Sequence, residues 1–210
     1  MSYTPCMSTV KSRREQYSLA TRAAILDAAT RRFAEVGFAG TTLEDVAADI
    51  QATRGAVYHH FNGKKALFEA VLEQLETDAV ERSAAAADAA PDPWQGAFAA
   101  LDTFLDDCCD PIYGRVVWRE GPLALGWLRW RECEEKYAYG VINRLLGALM
   151  DGGYLEPVPL ETATRITFAM LGAAGLALAE AAEADKPAVK AEYTEVIGRL
   201  MAGLRVTAPR

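Results

Sequence analysis

The sequence predicts an all-α protein, and three observations carry that expectation. The 210-residue chain is 51% hydrophobic, with the strong helix formers Ala, Leu, Glu and Arg abundant through its middle. Apolar residues recur at i, i+3, i+4 and i+7 in segment after segment. No strand-like alternation of any length and no internal repeat breaks the pattern. A chain of this length and composition can bury a real core and form one large or two small domains.

Taken in order, residues 1–17 read as an irregular arm, basic from Lys11. Ser18 can cap a first helix running to Val36, with Ile25, Ala29 and Phe33 on one face. Gly37 followed by Phe38 suits a left-handed helix stop. Thr41 with Glu44, or Thr42 with Asp45, offers a capping box. Leu43, Val46, Ala47 and Ile50 then give a short second helix a single apolar stripe. Gln51-Ala52 makes the turn, and Thr53 can cap a third helix. There Val57, His60 and Phe61 share one face, and Arg54, Gly55, Tyr58 and His59 another.

Asn62-Gly63 breaks the chain before a fourth helix, whose buried stripe is Phe68, Val71, Leu72 and Leu75. An Ala-rich stretch and Pro91-Asp92-Pro93 end it. From Trp94 onward the pattern stays helical over 94–109, 112–120, 123–150, 160–184 and 188–205. Pro111, Gly121-Pro122, Asp151-Gly152-Gly153, Pro157-Val158-Pro159 and Pro187 punctuate it. The expectation is about nine helices: an arm over 1–17, a helix–turn–helix head over 18–63, and a larger helical body over 64–210 with the fourth helix as connector.

Charge divides along the same line. The net charge of −7 alone argues against a nucleic-acid partner. Residues 1–66, however, hold nine basic and six acidic side chains, a net +3, while the remainder holds 13 basic and 23 acidic, a net −10. The local field decides whether a phosphate backbone is attracted. A basic front on an acidic body suits a protein that touches DNA with one end.

Cys6, Cys108, Cys109 and Cys133 make no disulfide framework and include no C-x-x-C, so reduced thiols are expected. The first residues lack an apolar run of signal-peptide length. Ile166–Ala182 is long and apolar but rich in Ala and Gly, with Thr167 and Glu180 inside it, which reads as a buried helix rather than a membrane span. A cytoplasmic protein with no membrane partner is the expectation.

Catalysis finds little support. Both histidines, His59 and His60, sit on the third helix, and no Gly-rich phosphate loop is present. Adjacent residues on a helix point about 100° apart, and no further His or Cys lies nearby, so a metal site is not expected. Carboxylate pairs such as Asp106-Asp107 and Glu134-Glu135 read as solvated helix faces. No cofactor is implied.

The segment from Thr21 to Val71 is the most informative. A helix as short as the third cannot hold itself together in water, so its neighbours must brace it. A braced short helix with a large polar face is what enters a major groove. Gly55 inside it costs about 0.5–1 kcal/mol relative to Ala, a sign that a partner's backbone comes close. Lys64 and Lys65 open the next helix, where they can grip a phosphate.

Ala29, Phe33, Gly37, Thr41-Thr42, Val46-Ala47, Thr53, Gly55, Val57-Tyr58, His60-Phe61, Lys64, Leu67 and Phe68 together resemble the tetracycline-repressor-like (TetR) family of bacterial transcription regulators. The resemblance spans residues 18–75. It implies a three-helix DNA-binding head, a connecting fourth helix, and a helical body that binds a ligand and dimerises. Carried over, Thr42 contacts a phosphate, with Thr53 at the helix 3 cap. Arg54, Ala56 and His59 face base edges, Gly55 and Tyr58 lie near the backbone, and Lys64, with Lys65 adding charge, meets phosphate. Arg13 and Arg14, with Lys11, resemble an arm laid on a neighbouring groove. His60 packs inward.

Two departures stand out. Gln51 occupies a turn position where the family usually has Gly, and Ala52 replaces a larger aliphatic residue. If Gln51 is left-handed, the strain is on the order of 1–2 kcal/mol.

Between Trp94 and Tyr139 the chain is crowded with aromatics, interleaved with Gly and Arg. Such a group fits an apolar pocket with a few polar anchors. The expected walls are Trp94, Phe98, Trp118, Trp127 and Tyr137, for a small apolar or aromatic effector.

The last two helices carry stripes of Ile166, Met170, Ala173, Leu176 and Ala177, and of Ile197, Leu200, Met201 and Leu204. Plain intrachain core would explain them; the resemblance implies a homodimer interface instead. A dimer would present two heads about 34–36 Å apart to a near-palindromic double-stranded operator. The expected function is therefore a ligand-responsive DNA-binding regulator, most simply a repressor. The competing reading is a helical small-molecule-binding or scaffolding protein whose basic end only supports the fold.

Overall fold

A computed structural model describes residues 13–206, apart from the side chain of Arg14. Cys6, Lys11 and that side chain lie outside the described residues. Among those described, nine helices and no strand are found; a single antiparallel bridge joins Leu155 to Arg205.

Helix α1 covers Arg13–Gly40, α2 Leu43–Asp49, α3 Arg54–His60 and α4 Lys64–Asp88. The expected start at Ser18 is five residues late. Arg13 to Tyr17 are adequate helix formers with nothing to stop them, so the segment read as arm continues α1 instead. The expected stop at Gly37 is a kink with φ 76°, after which the chain makes a last turn to Gly40.

Gly37 is favoured here by its backbone, and a side chain would also displace a capping carboxylate. Its φ is left-handed, and a Cβ there would come within 2.8 Å of the Glu120 carboxylate. That carboxylate accepts from the Phe38 amide at 2.7 Å, so the body caps the kink of the head's first helix.

Of the two possible capping boxes, Thr42–Asp45 forms: Thr42 Oγ1 accepts from the Asp45 amide at 3.1 Å, and Asp45 Oδ2 accepts from the Thr42 amide at 3.2 Å. Thr41 is buried and donates to the Gly37 carbonyl at 2.9 Å. Gln51 is left-handed, φ 54°. The Ala52 amide donates to Ala47 O at 2.9 Å and the Gln51 amide to Ala48 O at 3.1 Å, the paired bonds of a Schellman stop. Thr53 caps α3 by accepting from the Ala56 amide at 3.2 Å.

In the body, α5 is Pro93–Cys109, capped by Asp92, which accepts from the Gln95 amide at 2.9 Å. Helix α6 is a continuous run in three pieces: Pro111–Tyr113, a π-helical stretch Gly114–Glu120, and Gly121–Leu125. Gly121-Pro122 does not break it: Pro122 stands in the first turn of the last piece, where the hydrogen-bond pattern changes from π to α and Pro is tolerated. The break comes at Gly126, φ 81°. Helices α7 (Trp127–Asp151), α8 (Leu160–Glu180) and α9 (Lys186–Gly203) complete the chain. Helix α8 is long and apolar enough to cross a membrane by length and composition. One side of it, including Thr164, Ala174, Gly175 and Leu178, is buried in the body.

One core runs from head into body. Phe33, Phe68, Leu67 and Val57 join Leu72, Val117, Leu105 and Leu178 in a single buried cluster. Helix α4 lies along it, so its first turns belong to the head and its later ones to the body.

Candidate functional sites

The α2–turn–α3 unit sets the first site. Val57 and Phe61 are buried, which turns the opposite face of α3 outward. Arg54, Gly55, Tyr58 and His59 are exposed there, Tyr58 at 45%. A short helix is stabilised here by its cap and by apolar contacts on one side, leaving the large polar groups free of the interior.

Arg54 is pre-set rather than loose. Its Nε lies 2.8 Å from a Glu44 oxygen on α2, its guanidinium donates to the Tyr58 hydroxyl at 3.2 Å, and it lies 5.0 Å from that ring's centre. The pair with Glu44 is exposed and so weakly held. His60 is half-buried; burial, then the neighbouring His59 and Arg22, holds its imidazole below the usual value. Ala56 is half-buried on the flank of the exposed face.

Around α3, Thr42 and Thr53 are exposed with their hydroxyls engaged in caps. Lys65 is exposed. Lys64 has a second task that sequence reasoning missed: its Nζ donates to the Phe38 carbonyl at 2.7 Å and sits 4.4 Å from the Phe38 ring centre. The same residue therefore ties α4 to the kink that Glu120 caps. Arg13 is exposed at the start of α1. Part of the head's positive charge is spent internally, because Arg32 donates to Asp49 at 2.5 and 2.7 Å and holds that carboxyl below its usual value.

The second site is a cavity of about 360 Å³ in the body, between α4, α5, α6, α7, α8 and α9. That is within the usual size of small-ligand sites. Trp94, Phe98, Trp118 and Trp127 line it; Tyr137 does not. Along α7 the inward positions are Trp127, Trp130, Glu134, Ala138, Val141 and Leu145. Tyr137 falls on the flank facing α4, where Lys136 donates to its hydroxyl at 2.8 Å.

Glu134, read as part of a solvated pair, is 4% exposed, and Asp107 is largely covered beside Arg82 at 2.8 Å. These are corrections. A helix-face argument puts charge outside, but here the inward stripe of α7 carries a carboxyl across from another, Glu76 of α4, also buried. Sequence reasoning missed Glu76, Tyr113, Trp130 and Phe104 as lining residues. The three aromatics belong to the crowded stretch between Trp94 and Tyr139, and Glu76 left its own signal: it stands on the apolar spacing of Leu72 and Ala79.

The stripes on α8 and α9 divide. Ile166, Ala173, Leu200 and Leu204 are exposed; Met170, Leu176, Ala177 and Met201 are half-buried. Ile197 is 4% exposed and lines the cavity, so it is core. The i, i+4 register explains this: Val196, Leu200 and Leu204 point outward, while Ile197 and Met201 point toward Phe98 and the cavity.

Comparison with known proteins bears on both sites. Residues 25–71 match the model described as bacterial regulatory proteins, tetR family, and residues 94–204 match that of the tetracyclin repressor-like C-terminal domain. The HTH-type transcriptional regulator TtgR of Pseudomonas putida is 51% identical over 55 residues, 26% of each chain. The match thus spans about a quarter of such curated relatives. A crystal structure of a TetR-family regulator from Pectobacterium atrosepticum is 30% identical, covers 95% of this chain and all of its own, and superposes with a TM-score of 0.81. RolR in complex with resorcinol shares the fold at 19% identity, with 94% of this chain and 99% of that one covered and a TM-score of 0.66.

Proposed function

The chain belongs to the TetR family of bacterial transcription regulators, and from that premise we propose that it is a homodimeric repressor released from its operator by a small, largely apolar effector. One observation carries the reading: α3 is braced on its apolar side while Arg54, Gly55, Tyr58 and His59 stand in solvent. A structural helix of scaffold would bury its largest side chains; this one displays them. The scaffolding alternative is not favoured for that reason.

In this reading residues 18–63 form the DNA-binding unit and 64–210 the effector-binding and dimerisation unit. Arg54, Ala56 and His59 read base edges, while Gly55 lets the phosphate backbone approach and Tyr58 lies along it. Thr42, Thr53, Lys64 and Lys65 hold phosphates, with Arg13 and Arg14 on the neighbouring groove. Leaving Glu44 for a guanine edge costs Arg54 little, because the pair is exposed. Ile166, Ala173, Val196, Leu200 and Leu204 are apolar and exposed, and in this reading they pair with the same face of a second copy, as exposed apolar surface often does. Pairing two such faces sets the spacing of the heads.

Helix α4 supplies the link. Its Lys64 end is bonded to the head, and its Glu76, Ala79 and Ser83 border the cavity. From Lys64 to Glu76 is a rigid rod of about 18 Å at 1.5 Å per residue. A second link runs from Trp118 in the cavity wall through Glu120 to the Phe38 amide. A ligand that prefers a tilted α4 shifts the dimer away from operator spacing; one that binds both states equally shifts nothing.

The test is fluorescence anisotropy with duplexes selected from random sequence. Sequence-selective binding that falls steeply with salt, and release by a compound that also changes tryptophan emission, supports the reading. Binding that is indifferent to both sequence and salt sinks it.

A further inference from the structure

The polar end of the cavity narrows the class of effector, an inference that rests on the effector-cavity reading above. Glu76 and Glu134 are 2% and 4% exposed, and both line the cavity. The Tyr113 hydroxyl donates to Glu76 Oε1 at 2.9 Å, while Glu134 Oε1 has no hydrogen-bond partner. The groups whose charge bears on the pair are acids: Tyr113 from α6, Asp107 and Cys108 from α5, Cys133 from α7. Asp107 is served by Arg82. Among the described residues the lining includes one cationic side chain, Arg131, which is exposed and lies 5.7 Å from the Phe168 ring centre.

A buried carboxyl without a base costs several kcal/mol unless it stays protonated or meets a cation. Here burial pushes both carboxyls up, Glu76 to about 7 against the opposing pull of its hydrogen bonds from Tyr113 and Glu134; burial and then the charge of Glu76 raise Glu134. The apo pair therefore keeps a proton at neutral pH.

Trp118, Trp130 and Phe104 line the cavity with the pair, and Trp118 stands edge-to-face with each of the other two rings. The two indole N–H groups also lack acceptors; Trp130 sets its pyrrole edge against Gly121, and Trp118 the ring-fusion and benzo atoms against Gly175. A Cβ on Gly121 would fall 2.9 Å from Trp130 Nε1, and one on Gly175 2.4 Å from Trp118 Cε2. These donors and Glu134 Oε1 are alike buried, in a lining of mostly aromatic rings and aliphatic side chains with the two carboxyls among them.

We propose that the cavity takes a lipophilic organic cation, a protonated or quaternary amine on an aromatic or branched apolar body, with its charge against Glu134 and Glu76. The tryptophan rings add cation–π attraction in a desolvated setting. On binding, the O–H bond of the protonated carboxyl breaks, its electron pair stays on oxygen, and the proton passes to the buffer. Nothing is oxidised or reduced.

Three probes of one shape class separate the possibilities: benzyltrimethylammonium, its neutral carbon isostere neopentylbenzene, and phenylacetate. They are titrated into the full-length protein by tryptophan fluorescence and by calorimetry in phosphate and Tris buffers. Because the quaternary probe cannot titrate, any pH dependence belongs to the protein. The expected result is at least tenfold tighter binding of the cation than of the isostere at pH 8. Its affinity should fall at least fivefold at pH 6, with net proton release on binding. Glu134→Gln and Glu76→Gln should each cut cation affinity tenfold or more and leave the isostere unchanged, with melting curves checking the fold. If neither variant folds, proton release and the pH profile of the natural protein decide.

Equal binding of cation and isostere, or tighter binding of phenylacetate lost in Arg131→Ala, would overturn the cation assignment and leave the effector cavity standing. If none of the three binds while other compounds still release DNA, the assignment is likewise overturned. If no compound binds at all, the effector reading fails with it.

Discussion

In the head, Ile25, Ala28, Ala29, Phe33, Val46 and Val57 lose all exposure, and Phe33 packs edge-on to Phe68 with ring centres 5.0 Å apart. In the body, aromatics line a cavity, and among the described residues four buried side-chain polar atoms lack partners: Asp107 Oδ2, Trp118 Nε1, Trp130 Nε1 and Glu134 Oε1. None of the four lies in the head. The contrast separates two demands. A DNA reader must hold one small helix in one geometry, which dense apolar packing does. An effector body must keep an interior whose satisfaction is completed from outside. Its π-helical stretch Gly114–Glu120 belongs to that second demand: such segments are rare and concentrate at functional sites.

The contrast breaks most directly through size. Phe33→Ala should cost about 3–5 kcal/mol, because a full side chain leaves a close-packed site. Phe98→Ala, at a wall that already borders the cavity, should cost well under half as much, roughly 1 kcal/mol. Urea unfolding of both variants measures the difference. Equal losses would mean that the body is packed as tightly as the head.

The next effect is on binding alone. His59→Ala removes an exposed ring whose ring neighbour is the half-buried His60. It should leave urea stability within about 0.5 kcal/mol and relax discrimination at one base position by about 1–3 kcal/mol. Lys65→Ala should weaken all sequences alike. Lys64→Ala should do so too, but with a drop in stability, since its ammonium also holds the Phe38 carbonyl. Anisotropy against matched and mismatched operators sorts the three.

Between these lies pH. Glu76 and Glu134 have folded-state values raised by burial. Their contribution is therefore fully present below the unfolded carboxyl value and lost as pH rises through the folded one, near neutrality for Glu76. Stability of the ligand-free protein should drop by on the order of 1–2 kcal/mol between pH 5.5 and 8, read as urea midpoints. Glu134→Gln, which removes one titrating group and keeps the shape, should flatten the slope. An unchanged slope would place the titration elsewhere. The head carboxyls work in the opposite sense: Asp45 and Asp49 are held low by Thr42 and Arg32 and matter only under acid.

The two regions were also unequally legible. The head is written in local signals: caps at Thr42 and Thr53, a stop at Gly37, a four-residue stripe in α2, each fixed by neighbours a few residues away. The body's elements were legible too, to within a few residues, but its site depends on pairs far apart in sequence. Nothing local says that Glu134 faces Glu76, or that Glu120 reaches the Phe38 amide. Periodicity assigned Glu134 to a solvated face because it weighs charge against exposure and cannot see a cavity. Tyr137 and Ile197 failed for a finer reason. Each is one position away from the correct face, an error of about 100° that only packing resolves.

The smallest prediction tests whether the head's economy is complete. Gln51 is the one non-glycine residue with positive φ among the described residues, and it stands at the Schellman stop between α2 and α3. A side chain in that conformation costs about 1–2 kcal/mol, offset in part by the greater freedom that Gly would have in the unfolded chain. Gln51→Gly should therefore stabilise the head by roughly 0.5–1 kcal/mol, visible as a higher urea midpoint at unchanged slope. The two stop bonds, Ala52 to Ala47 and Gln51 to Ala48, are made by backbone and survive the change, so operator affinity should hold. If affinity falls while stability rises, the strain is part of how α3 is aimed at the groove, and the head too would hold something in reserve for its partner.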